Sequence, residues 1–283
     1  MKTYLECIPC FFKQAIRAAR LVTDDEELIK RLLDEVGVML KEIPLDSKPP
    51  EMARLVYGKI KEITGNEDPY RELKKENIEK ALSLYPALKS RVEDSRDRLL
   101  TAVRIAIAGN IMDFGVYSGF DIEREVEEVM SKDLAVCDYK DFRRCLDETD
   151  EILYIGDNAG EAVFDRVLIE ELGKPVKYAV RGVPVINDAT LKDAALAGIG
   201  EIATIISSGT SAPGTLLDDC SIEFKKILEN SRLVISKGQG NYEGLSEEGY
   251  SIFFLLKVKC FVIAGDIGAR EGDVILKGIN INP

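Results

Sequence analysis

Residues 151–161 read Glu151-Ile152-Leu153-Tyr154-Ile155-Gly156-Asp157-Asn158-Ala159-Gly160-Glu161. An apolar run of β-forming residues stops at a glycine, and Asp157, Asn158 and Glu161 follow at once. The run reads as a buried strand that carries a carboxylate and an amide to its C-terminal end, where open α/β sheets place their ligands. Oxygen donors this close together suit a hard divalent cation. The same residues would also serve an ordinary strand-to-helix turn with Asp157 or Asn158 as N-cap. The rest of the chain has to decide between the two.

Downstream, short β-rich runs alternate with helical stretches. Strands are expected at Ile152–Ile155, Val176–Val180, Ile202–Ile206, Leu233–Ile235 and Cys260–Ala264, with helices at 161–172, 190–197, 214–228 and 246–257. This alternation predicts an α/β fold, a Rossmann-like parallel sheet with helices on both faces. Upstream, apolar residues recur at helical spacing over Phe12–Leu21, Asp25–Ile43, Pro50–Ile63, Glu76–Leu88, Ser95–Ala108 and Glu123–Met130, with Pro49-Pro50, Pro69 and Pro86 as punctuation between them. The chain therefore divides near residue 148, into a mainly helical region 1–148 that contributes one wall of a site and an α/β region 149–283 that binds metal and phosphate.

Parallel strands bring the segments that follow them to one edge of the sheet. Those segments are Gly156–Glu161, Arg181–Thr190, Ser207–Thr215, Lys237–Glu243 and Gly265–Arg270. Asp157, Asn158 and Asp188 could hold one divalent metal and leave positions for water and substrate. Asp188 precedes Ala-Thr-Leu, so helix capping is its plain alternative. The loop around Ser208 and Gly209 offers hydroxyls and backbone N–H groups as an anion site, or is a surface loop. Lys237 could neutralise a phosphate as a point charge, or snorkel to the surface. In the helical region, Asn110 and Asp113 stand in the glycine-flanked segment Gly109-Asn110-Ile-Met-Asp113-Phe-Gly115, where they either cap a turn or face the site.

Composition narrows the chemistry. The net charge of −12 over 283 residues argues against a nucleic-acid binder. No apolar stretch approaches the ~20 residues of a membrane span, and residues 1–17 carry no secretory pattern, so a cytoplasmic location is expected. Histidine is absent, which removes Ser-His-Asp and Cys-His catalysis and imidazole zinc sites. Metal must then be held by oxygen or sulfur, and protons moved by Asp, Glu, Lys, Tyr, Cys or water. The six cysteines do not read as a disulfide framework. Cys7-Ile-Pro-Cys10 has no second CxxC to complete a zinc site and is expected to be structural, with metal or redox chemistry as the alternative. Nothing in the sequence reports an oligomeric state.

Taken in order, Cys7-Ile-Pro-Cys10-Phe-x-x-Gln14, Gly109-Asn110-x-x-Asp113-Phe-Gly115, Gly156-Asp157-Asn158-Ala-Gly160-Glu161, Asn187-Asp188-Ala-Thr190, Ser208-Gly209 through Ala212-Pro213-Gly214, and Lys237-Gly-Gln-Gly-Asn-Tyr-Glu243 resemble the DUF89 family of damage-control phosphatases, in its prokaryotic CxxC branch. The resemblance spans nearly the whole chain. It implies a divalent metal (Mg, Mn, Co or Ni) on Asp157, Asn158 and Asp188, a phosphate contact from Lys237, and Asn110 and Asp113 near the substrate. The implied activity is hydrolysis of small phosphate monoesters, such as sugar phosphates or damaged phosphometabolites. One departure is Ile186-Asn-Asp-Ala-Thr190, where the family more usually has Val-Asn-Asp-Val-Thr; the metal ligand is kept.

On this reading catalysis is positioning and electrostatics. Either water attacks with Asp188 or Glu161 as base, or Asp157 attacks and forms a phosphoaspartyl intermediate. Two other functions fit the same strand ends: an adenosylmethionine-dependent carboxyl methyltransferase, and a non-catalytic module that binds metal and a phosphorylated ligand.

Overall fold

The computed structural model describes residues 1–110 and 122–281; Asp113, expected near the substrate, lies outside them. The helical part holds α1 (Cys7–Arg20), α2 (Glu26–Glu42), α3 (Pro49–Thr64), α4 (Arg71–Glu93), α5 (Arg98–Gly109) and α6 (Ile122–Ser131), followed by β1 (Val136–Cys137) and α7 (Tyr139–Glu148). The caps are local chemistry. Asp25 accepts from the backbone N–H groups of Glu27 and Leu28, and Pro49 and Pro50 open α3, where a missing N–H costs nothing. Pro86, expected between elements, lies inside α4, which runs on because Leu88 and Val92 are buried beyond it.

The second half builds β2 (Ile152–Ile155), α8 (Glu161–Leu172), β3 (Val176–Val180), α9 (Leu191–Leu196), β4 (Thr204–Ser207), α10 (Ile222–Asn230), β5 (Leu233–Lys237), α11 (Gln239–Leu245), β6 (Ile252–Lys257), α12 (Phe261–Ile267) and β7 (Val274–Ile279). The strands form one sheet in the order β1-β7-β6-β5-β2-β3-β4. Every neighbouring pair is parallel except β6 and β7. The architecture is α/β with a mixed, mostly parallel sheet.

One region departs from expectation. The second half of the helix expected over 246–257 is strand β6, and the strand expected over Cys260–Ala264 is the start of α12. Ile252-Phe-Phe-Leu-Leu256 is a continuous apolar run buried on both faces, as an interior strand requires, and periodicity cannot tell such a run from a buried helix. The edge segment after this strand is therefore Val258–Val262, and Gly265–Arg270 ends α12 instead. The helix expected from residue 214 begins only at Ile222, capped by the Ser221 side chain.

Alternate residues of the strands feed two cores. Tyr154, Tyr178, Ile235, Phe253 and Leu255 face α4, α5 and α8; Leu153, Ile155, Val234, Phe254 and Leu256 face α10, α11 and α12. Residue 148 ends α7, but the packing continues across it: Ala106, Phe142, Phe164 and Phe253 belong to one cluster. Helices α1–α3 keep a separate core around Phe11, Leu32, Val36, Met52 and Val56. Val185, from the loop after β3, joins that core and ties it to the sheet. Among the described residues no helix is long and apolar enough to cross a membrane.

Candidate active site

Strands β2, β3 and β5 are adjacent and parallel, so the segments after them meet. After β2 the chain reaches Asp157 and Asn158, and an isolated antiparallel bridge joins Asn158 to Asp188 from the loop after β3. The backbone N–H of Ala159 donates to Asn187 O at 2.8 Å and that of Ala189 to Asp157 O at 2.7 Å. Asp157, Asn158 and Asp188 are held together by main chain before any side-chain contact is counted.

They form the floor of a cleft of about 400 Å³. One wall is α1, through Cys7, Cys10, Phe11, Gln14 and Arg17; Pro50, Pro213, Gln239 and Lys259 contribute to the rest. This volume suits a small ligand.

The floor is a network of buried charge. Arg181, almost fully buried, donates from Nε to Asp188 at 2.5 Å, from Nη2 to Asp157 at 3.2 Å and from Nη1 to Asn241 at 3.0 Å. Burial works against this guanidinium, yet Asp188 and Asp157 hold it above its ordinary value. Asp157 itself is pushed well up, first by burial and then by Asp188 and Glu161, against the pull of Arg181. Its Oδ2 accepts from the amide nitrogens of Asn158 at 3.1 Å and Asn110 at 3.4 Å. The same two amides donate to Glu161 Oε2, at 3.0 and 3.2 Å.

Below lies Lys237, with no exposed surface. Its ammonium donates to Ala106 O at 2.7 Å, Glu161 at 2.5 Å and Asp165 at 2.6 Å, which uses all three protons. Burial opposes its charge, but Asp165 and Glu161 outweigh that and hold Lys237 as an ammonium. Tight backbone geometry makes room for this. Gly238 has φ +77°, and a Cβ there would strike Asp157 Oδ2; a Cβ on Gly156 would strike the hydroxyl of Tyr178.

The structure thus brings Asn110, Asp157, Asn158, Glu161, Asp188 and Lys237 into one cluster. It does not bring Ser208 and Gly209 to the cleft. Ser208 Oγ donates to Val180 O at 2.8 Å, and Gly209 packs on the backbone of Gly182 and Ser221. The hydroxyls of Thr210 and Ser211 both donate to Asp219, at 2.9 Å, so the residue of this loop that reaches the cleft is Pro213. Cys7 and Cys10 line the cleft as free thiols in the first turn of α1. Burial pushes Cys7 up, which favours the thiol over the thiolate.

Two members of the cluster had no role assigned in the sequence. Arg181 was visible only as the first residue after a strand. Asp165 stands four residues after Glu161, a carboxylate directly after the apolar run Ala162-Val163-Phe164 and on the same helix face as Glu161, and that mismatch was the available signal.

Comparison with known proteins identifies the family. Residues 3–275 match the model of the damage-control phosphatase ARMT1-like domain. The chain belongs to the damage-control phosphatase family. It is 36% identical to a damage-control phosphatase of Archaeoglobus fulgidus, over 98% of this chain and 99% of that protein. It is 34% identical to damage-control phosphatase PH1575 of Pyrococcus horikoshii, over 97% of both chains. The crystal structure of that DUF89 protein from P. horikoshii superimposes with a TM-score of 0.90, covering 98% of this chain and 99% of the other at 33% identity. The damage-control phosphatase fold here therefore includes the α1 wall as well as the sheet.

Proposed function

We propose that the protein is a metal-dependent phosphatase acting on small phosphate monoesters, with the cleft floor as its active site. The observation that carries the reading is the charge on that floor. Asp157, Asp188, Glu161 and Asp165 surround two buried cations, Arg181 and Lys237. The carboxylates outnumber these two cations, Lys259 is the next positive charge to act on Asp157, and burial pushes Asp157 towards its protonated form, which a bound cation would reverse. A divalent cation would offset that excess of carboxylates. Among the described residues no three Cys, Asp or Glu side chains form a ready cage for a metal. Two carboxylates and an amide suit a hard cation that keeps water in its remaining positions.

The residues fit such a metal on Asp157, Asp188 and the amide oxygen of Asn158. When bound, it would act as a Lewis acid towards a phosphoryl oxygen. The chain's own residues do the rest. Arg181 fixes Asp157 and Asp188 and limits their repulsion. Asn110, fully buried, has an Oδ1 with no partner among the described residues, and a substrate hydroxyl that reached it would supply one. Lys237 lies beneath the floor with all three protons used, so it holds Glu161 and Asp165 in place, and a phosphoryl contact from it would cost one of those bonds. Ser208 and Gly209 shape the loop that presents Pro213. Asp188 lines the cleft and is placed to take a proton from attacking water, whereas Glu161 is enclosed beneath. Attack by Asp157 is the alternative, and retention of configuration at phosphorus with a chiral phosphate ester would select it, whereas inversion would select direct attack by water.

The deciding experiment measures phosphate release from a panel of sugar and nucleotide monophosphates with Mg²⁺, Mn²⁺, Co²⁺, Ni²⁺ or EDTA, beside Asp157→Ala. Metal-dependent release that the variant loses is the expected result. A folded, metal-binding protein that releases no phosphate would shift the reading to a binding module, and tight adenosylmethionine binding would shift it to a methyltransferase.

A further inference from the structure

We propose that Asp165, which is not among the residues lining the cleft, is the positioning residue that holds the metal-facing side of the site in register. The inference rests on the phosphatase reading above and names how its floor is kept in place. Asp165 is fully buried on the first turns of α8 and accepts three bonds: from Tyr154 at 2.7 Å, from Tyr178 at 2.8 Å and from Lys237 at 2.6 Å. The two rings stack with centroids 5.3 Å apart, and both phenols are held far above their ordinary value by burial and by Asp165, so both are neutral donors. A carboxylate that accepts from three fixed donors has no freedom to move.

The chain of consequence is short. Asp165 and the carbonyl of Ala106 fix two of the Lys237 protons, and the third goes to Glu161 Oε1. With one oxygen pinned, Glu161 presents Oε2 to the amides of Asn110 and Asn158. Glu161 Oε2, together with Asp157 Oδ2, accepts from both amide nitrogens, so both amides turn their NH₂ groups inward. The amide oxygen of Asn158 is thereby left to the cleft that Asn158 lines. Asp165 acts on the metal ligand through Lys237 and Glu161, as an outer partner does for a ligand it never touches.

The test is a double-mutant cycle on Mn²⁺ binding, read by electron paramagnetic resonance in the full chain and so independent of turnover. Asp165→Asn should weaken Mn²⁺ binding by roughly ten- to a hundred-fold. In a Glu161→Gln background the same change should add less than about twofold, because the path through Glu161 is already cut. A purely structural residue would give losses that multiply. Multiplying losses, or unchanged Mn²⁺ binding by folded Asp165→Asn, overturns the proposal. If Asp165→Asn does not fold, Tyr178→Phe decides: it removes one hydroxyl and keeps every charge. It should weaken Mn²⁺ binding severalfold in the native background and not beside Glu161→Gln; no change, or the same loss in both, overturns the proposal. Native protein that binds no Mn²⁺ removes the metal reading itself, and the proposal with it.

Discussion

The sheet has a hollow at each edge. The one at the C-terminal edge of the strands measures about 400 Å³ and the one at the opposite edge about 470 Å³. The larger is lined by Glu151, Lys177, Glu223, Lys226, Asn230 and Arg232, all in reach of water. There Lys177 pairs with Glu151 while 33% and 51% of the two side chains remain exposed. The smaller hollow ends on Asp157, Asn158 and Asp188, which keep little exposure, over Glu161, Asp165 and Lys237, which keep none. Size is no guide to which hollow is chemical. A charge in contact with water is already satisfied, whereas buried charges persist only where something offsets them, and here carboxylates outnumber the buried cations.

If the contrast is right, the two edges answer mutation very differently. Asp157→Ala should lower metal-dependent phosphate release by roughly three orders of magnitude or more, since several kcal/mol of transition-state stabilisation pass through that position; a steady-state assay at saturating metal checks it. Arg181→Met leaves Asp157 and Asp188 facing each other and should cost about 3–5 kcal/mol in chemical denaturation. A loss below ~1 kcal/mol would mean that the floor is not charge-limited. Mn²⁺ at a hundredfold excess over its dissociation constant should stabilise the native chain by about 2.7 kcal/mol in thermal melts, and Asp157→Ala should remove most of that gain.

Glu243, beside the cleft, sharpens the comparison through pH. Burial pushes its carboxyl up to about 7, from 4.5 in an unfolded chain. Folding therefore favours the protonated group. That contribution is fully present below about pH 4.5 and is lost as pH rises through 7. Glu243→Gln should flatten the fall in melting temperature between about pH 5 and pH 8. At the far edge, Glu151→Ala with Lys177→Ala should change stability by no more than ~0.5 kcal/mol and leave turnover as it was. A large loss of activity there would break the distinction between the edges.

The sequence carried the fold class and most of the floor, for a physical reason. Asp157, Asn158 and Asp188 follow parallel strands directly, so locating the strands locates them. Lys237 was legible as the last residue of a buried strand, but its direction was not, because Ala106, Glu161 and Asp165 lie on other elements that only packing brings beside it. The reversal of strand and helix across 246–264 had the same root: Ile252–Leu256 carries no period that separates a buried strand from a buried helix. Ser208 and Gly209 promised an anion loop because hydroxyls and glycine look alike whether they face a ligand or, as here, Val180 and Ser221. Asp219, which takes the neighbouring donors of Thr210 and Ser211, is a partner that no local motif announces.

The separate core of α1–α3 has a consequence for how such an enzyme diversifies. The floor is constrained by its charge count, and any single change there unbalances it. The wall is cored by its own aliphatic and aromatic residues and fastened to the sheet at a few points, such as Val185, Lys48 on Gly244 O at 2.9 Å, and Arg54 on Asp219 at 2.9 Å. Uncharged side chains on its cleft face, Gln14 among them, can be exchanged without touching that count. Such a molecule can change what it admits while keeping what it does, because admission and chemistry are written into two parts that fold around different cores.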